Sequence, residues 1–254
     1  MSLTKEGRNM TESEWLTSED PLALLEYVTD QATQRKYRLF LCACCTRVLA
    51  STPLHRRLFR KYYPGSWYQL EQAMGIVEQV AEGFVSTDLL AQARKDADQS
   101  TYVPDWIDWG GETKFIGEAL AVIAAAVEHP VAAEVLEACW RAAIWQAEDI
   151  AREENSQSTE KDHLRVETQW QAVVCRDVFG NPFRPISFSP EWRTAATVSL
   201  AARMYQSRDF SAMPELVDAL QDAGCKATAI LDHCRSSSPH VRGCWVVDLV
   251  LGKE

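Results

Sequence analysis

Apolar residues recur at steps of three and four through nearly every segment of the chain, the pattern of helices that bury one face. Between Gln34 and Ala50, Tyr37, Phe40, Leu41, Cys44, Cys45 and Val48 form one such face. Leu22, Leu25 and Val28 mark a shorter helix before it. Leu54 to Tyr63, Tyr68 to Gly83 and Thr87 to Ala97 follow as three more, and Lys114–Val127 with Val131–Arg152 reads as an alanine-rich hairpin turning at His129-Pro130. A helix over about His163–Phe179 carries Val166, Trp170, Val173, Val174 and Val178 on one side. Arg193–Gln206, Met213–Ala223 and Lys226–His233 come next as short helices. The tail Gly243–Leu251 is read as helical because Asp248 interrupts its apolar run and Gly252 closes it.

Local signals punctuate this pattern. Thr11-Glu12-Ser13-Glu14 has the form of a capping box, Asp20-Pro21 is a cap followed by a proline in the first turn, and Gly180 stands where a helix should stop. The longest irregular connection, Gln99–Thr113, contains Pro104, Trp106, Trp109 and Gly110-Gly111, and its tryptophans imply a loop packed on the body. No period-two alternation and no hairpin signal is present. The expected fold is all-α, a compact multi-helix bundle of about eight to eleven helices with one long Trp-containing loop. The polar run Glu153–Lys161 suggests a division into residues 1–152 and 162–254, two helical regions packed closely as lobes or as one domain.

Composition narrows the class. The 254 residues are 46% hydrophobic and 24% charged, as in an ordinary globular protein, with a net charge of −10 that opposes a general affinity for nucleic acid. The first residues lack an apolar signal segment, and the longest apolar run, Ala119–Val127, is too short to span a bilayer. A cytoplasmic protein with no membrane association is expected, and with it reduced cysteines rather than disulfides.

Two blocks resemble a known family. Gly180-Asn181-Pro182-Phe183-Arg184-Pro185, Trp192, His233-Cys234-Arg235 and His240-Val241-Arg242-Gly243-Cys244-Trp245-Val246-Val247-Asp248 are similar to a family of uncharacterised bacterial proteins, many from planctomycetes. Thr11–Leu16, Asp20-Pro21 and Arg38–Cys45 resemble the opening of the same family. The resemblance implies relatives and no activity.

Candidate chemistry gathers in three places. Between Asp30 and Glu71 no acidic residue occurs, while Arg35, Lys36, Arg38, Arg47, Arg56, Arg57, Arg60 and Lys61 do, followed by Tyr62, Tyr63, Trp67 and Tyr68. Basic and aromatic residues so interleaved suit phosphate contacts and stacked bases; the favoured expectation is that these cations pair with the acidic remainder of the same fold or simply face water. Arg184, in the proline-fixed turn, is a further candidate for an anion or a partner carboxylate. The C-terminal set Cys225, His233, Cys234, His240 and Cys244 is the third place. Cys225, Cys234, His240 and Cys244 have the residue types of a mixed sulfur–nitrogen zinc site, although no tight C-x-x-C knuckle accompanies them. The competing expectation has no cofactor: the thiols are buried as small apolar groups, and His240 donates to a carbonyl or to Asp248. Either way the four residues should lie near one another.

Cys42 and Cys45 are spaced C-x-x-C, yet mid-helix, where no dipole activates a thiol. A Cys–His–Asp nucleophile drawn from Cys234 or Cys244, His240 and Asp232 or Asp248 lacks any accompanying oxyanion or phosphate loop. The sequence therefore points to a non-catalytic helical interaction or regulatory module with a protein partner. A zinc-stabilised or nucleic-acid-contacting protein is the alternative, and an enzyme of unrecognised type the third reading.

Overall fold

A computed structural model of the chain describes residues 10–29, 31–50, 64–86 and 160–253, together with Asp88, Leu89 and Lys95. These residues form nine α-helices and a 3-10 turn, with no strand among them, so the fold is all-α. In chain order the helices are α1 (Glu12–Thr17), α2 (Pro21–Val28), α3 (Gln34–Ala50), α4 (Pro64–Ala81), α5 (Glu160–Phe179), α6 (Ala195–Ser207), α7 (Met213–Asp222), α8 (Thr228–Arg235) and α9 (Trp245–Leu251). The basic helix expected at 54–63, the Trp-containing loop and the alanine-rich hairpin lie outside the described residues, as does the polar run up to residue 159. Glu160 and Lys161 already belong to α5.

Contacts divide the chain into two units. One joins residues 1–36 to 172–254, and the other is the continuous stretch 37–171. In the second unit, Leu39, Phe40, Leu41, Cys42, Cys44 and Cys45 of α3 are buried, as are Met74, Val77 and Val80 of α4. Arg47 lies 2.8 Å from Glu167 and its guanidinium stacks 4.5 Å from the Trp170 ring. Glu167 also accepts from Gln171 at 2.9 Å, so this buried carboxylate is satisfied from two sides.

The first unit contains the elements that matter below. Its C-terminal core is built where four short amphipathic helices bury one stripe each. Met213, Leu216, Val217 and Leu220 of α7 follow the helical period and pack with Met204 and Tyr205 of α6, Ile230 and Cys234 of α8, and Val246, Val247 and Val250 of α9. Caps set the boundaries at the N-terminal side. The Thr11 hydroxyl accepts from the Glu14 N–H at 3.2 Å, while the Glu14 carboxylate accepts from the Thr11 N–H at 2.7 Å. Asp20 accepts from the N–H groups of Leu22 and Ala23.

The Gly180–Pro185 turn holds α1. Trp15, fully buried, donates its indole N–H to the Gly180 carbonyl at 3.1 Å. Asn181 donates to Glu12 at 2.8 Å, and Arg184 donates to the same carboxylate at 3.0 Å. Phe183 stacks on Tyr27, with ring centroids 5.1 Å apart. From the end of α5, Arg176 donates to the carbonyls of Trp15 and Ser18 and so closes the last turn of α1. Gly180 adopts φ +70°, and a Cβ placed there would stand 3.3 Å from Cγ of Trp245. Gly180→Ala should therefore cost about 1–3 kcal/mol, combining the left-handed backbone with a tight contact on an indole. A shift in urea midpoint without a change in slope would register it, and an unchanged midpoint would show that neither effect operates.

Candidate functional site

Two features of the first unit bring polar side chains together. The first is an ion cluster at the start of α3. Asp248 projects from α9, is 1% exposed, and receives both guanidinium nitrogens of Arg35, at 2.8 and 3.0 Å. Lys36 reaches the same carboxylate at 2.6 Å and also donates to the carbonyls of Val178 at 3.0 Å and Gly243 at 2.8 Å. Arg35 donates in addition to the Tyr205 hydroxyl at 2.7 Å. Two members of the basic window are thus engaged internally, with every proton of the Lys36 ammonium used. Arg38 is partly buried, and desolvation lowers its pKa from the ordinary arginine value. Arg184 is three-quarters exposed and paired with Glu12. Arg56, Arg57, Arg60 and Lys61 lie outside the described residues.

The second feature is centred on Asp177, which the last turns of α5 carry on a face with Val174 and Val178. Oδ1 of Asp177 lies 2.7 Å from Nδ1 of His240 and 3.1 Å from Nε2 of His233, and Oδ2 accepts from the Val241 N–H at 2.9 Å. Nε2 of His233 is also 3.2 Å from Sγ of Cys244, the residue that begins α9, and that sulfur is 3.9 Å from Nδ1 of His240. One ligand-capable atom from each of Asp177, His233, His240 and Cys244 falls within 4.8 Å of the other three, so these residues form a group that can hold a metal ion.

Hydrogen-bond chemistry fixes the protons. The Trp245 indole can only donate, and it does so to Nδ1 of His233 at 3.2 Å. That nitrogen is therefore an acceptor and the ring proton stands on Nε2, facing Asp177. An ionised Asp177 only accepts, so His240 carries its proton on Nδ1, and its Nε2 is buried without a hydrogen-bond partner. Burial pushes the Asp177 pKa up, but hydrogen bonds from His233 and His240, joined by their charge when the rings are protonated, outweigh it and hold the carboxyl below its ordinary value.

Of the predicted ligand set, His240 and Cys244 lie in this group. Cys225 and Cys234 are buried beside Cys244 in the α6–α9 core, away from the histidine nitrogens. His240 turns to Asp177 rather than to Asp248, which is occupied by Arg35 and Lys36. His233 takes the place in the four-residue group that the spacing suggested for a second or third cysteine. Burial raises the Cys234 thiol to about 12 and the Cys244 thiol well above its ordinary range. Burial thus disfavours at both sulfurs the thiolate that a Cys–His–Asp nucleophile needs.

Beside this group opens a cleft of about 860 Å³. Leu16 of α1, Ile186, Ala229 of α8 and Trp245 of α9 are among its apolar lining residues, and Glu12, Lys36, Arg184 and Asp248 among its charged ones, with Arg184 the most exposed of these ion-paired side chains. Among the described residues that line it there is neither a histidine nor a cysteine. No family model, no curated protein and no solved structure matches the chain.

Proposed function

We propose that the chain is a non-catalytic helical interaction module that receives a segment of a partner protein in the cleft of its first unit. The observation that carries this reading is the cleft itself, whose volume of about 860 Å³ falls in the range of binding sites. Its composition supports the same conclusion: apolar lining residues, together with the more exposed Glu12–Arg184 pair, suit the apolar core and polar rim of interfaces. Leu16 is 54% exposed there, a large apolar side chain offered to an incoming group. The seven described cysteines are all free thiols, which supports a reducing, cytoplasmic setting.

Peptides selected from a random display library against the whole protein test this reading. Their amide shift perturbations should map to Thr33, Ile186, Ala229 and Trp245, and Leu16→Glu should abolish binding while leaving the thermal midpoint unchanged. Peptides that bind elsewhere, or that tolerate Leu16→Glu, would overturn it.

A second reading, the same module stabilised by zinc, is favoured by the Asp177, His233, His240 and Cys244 group. Nitrogen, sulfur and carboxylate ligands in a set of four are what zinc takes in structural sites. Metal analysis of protein purified without added metal tests it directly.

A further inference from the structure

We propose that Asp177, His233, His240 and Cys244 bind a zinc-class divalent cation and that binding turns His233 Nδ1 from acceptor to donor, releasing Trp245 at the wall of the cleft. This inference rests on the zinc reading and adds to it a coupling between the metal and the cleft ligand.

The geometry begins with distance. A tetrahedral ion with nitrogen and oxygen ligands at about 2.0–2.1 Å and sulfur at about 2.3 Å separates its ligands by about 3.2–3.6 Å. Four of the six separations are 2.7, 3.1, 3.2 and 3.9 Å and all six lie within 4.8 Å, so shifts on the order of an ångström bring the four atoms to tetrahedral spacing. The surroundings suit a cation. The second oxygen of Asp177 is already held by the Val241 N–H, which orients the carboxylate as an outer hydrogen bond does at metal centres. His233 retains 18% of its side-chain surface and offers a route of entry from solvent.

The proton balance follows from the ligand atoms. Cys244 binds as thiolate and gives its proton to solvent. His240 binds through Nδ1, so its one ring proton moves from Nδ1 to Nε2, which has no hydrogen-bond partner to lose. His233 binds through Nε2, and the one proton its neutral ring retains must then stand on Nδ1. There it meets the indole N–H of Trp245 at 3.2 Å, donor against donor. The pair must separate. Cγ and Cδ2 of the same indole lie beside Gly180, and Trp245 lines the cleft. A cation at the four-residue group and a ligand against Trp245 therefore act on one side chain, and each alters the affinity of the other by the same factor.

The test uses the full-length protein stripped with chelator and titrated with zinc chloride. X-ray absorption should give one sulfur at about 2.3 Å with nitrogen and oxygen at about 2.0–2.1 Å. In spectra of the indole N–H groups, the Trp245 signal, identified by its loss in Trp245→Phe, should move and exchange faster with solvent when zinc is added. The indole of Trp15, held by the Gly180 carbonyl, should keep its protection. Trp245→Phe keeps an aromatic ring against Gly180 but has no N–H to strand, so it should bind zinc more tightly, by about three- to tenfold, the worth of one hydrogen bond. Absence of stoichiometric zinc, or zinc retained in a folded Cys244→Ser/His240→Ala variant, would overturn both the zinc reading and this inference. Zinc bound through the four residues, with the Trp245 signal unmoved and the Trp245→Phe affinity unchanged, would overturn the coupling alone.

Discussion

Asp248→Asn is expected to destabilise the first unit by about 3–5 kcal/mol, the usual consequence of removing one partner from a buried ion cluster. The substitution keeps the shape of the side chain and its place on α9, yet removes the carboxylate charge that Arg35 and Lys36, 13% and 14% exposed, both contact. The two cations are fixed by other bonds, to Tyr205 and to the carbonyls of Val178 and Gly243, and cannot swing into water without abandoning these. Equilibrium urea unfolding followed by circular dichroism measures the loss. Replacing the whole cluster, as Arg35→Met, Lys36→Met and Asp248→Leu together, should recover most of it, since well-packed apolar residues can replace a buried ion cluster with little penalty. A loss below about 1 kcal/mol for Asp248→Asn would mean that the cluster is effectively solvated.

Asp177→Ala should be of similar size, about 3–5 kcal/mol. Three donors converge on that carboxylate, from His233, His240 and Val241, and the truncation strands all of them in a buried place. The same carboxylate sets an acid limit. Its pKa lies below the ordinary value, so its contribution is complete above the unfolded value of about 3.9 and is lost as pH falls through the folded one. The stability difference between the natural protein and Asp177→Ala should therefore shrink as the pH falls below about 4. A difference that does not shrink in acid would show that Asp177 stabilises by packing instead of charge.

The parts of this structure that were legible in the sequence are those decided within a few residues. The capping box at Thr11–Glu14, the Asp20-Pro21 start, α3 and the stop at Gly180 are each the outcome of one turn's hydrogen bonds, and all stand where the pattern places them. The helical character of Trp245–Leu251 was likewise readable from Asp248 and Gly252. What Asp248 does was not, because its partners lie up to 213 positions away and a charge run discloses no counter-ion. Pairing of Arg35 and Lys36 with an acidic residue of the same fold was open from the sequence, but which carboxylate it is was not.

The four-residue group shows the same limit in finer form. Spacing within the C-terminal block could bring His240 and Cys244 together, since they are four apart, but Asp177 comes from another helix. One signal for it did exist: a lone carboxylate on the face of α5 between Val174 and Val178, both fully buried, must find donors. His233 was visible as chemistry but not as geometry, since Cys234 beside it faces the core while His233 faces Asp177 and Trp245.

The division of the chain carries a consequence for its synthesis. The first unit is assembled from residues 1–36 and 172–254, with an intervening stretch of 135 residues that forms its own unit. On the ribosome, Trp15 of α1 and Arg35 at the start of α3 emerge 165 and 213 residues ahead of the Gly180 carbonyl and the Asp248 carboxylate that they bind. Contacts of such long sequence separation form late and slowly. Residues 1–36 therefore wait through the synthesis of a whole intervening unit for the C-terminal part they join, an interval open to misassembly and to capture by a chaperone.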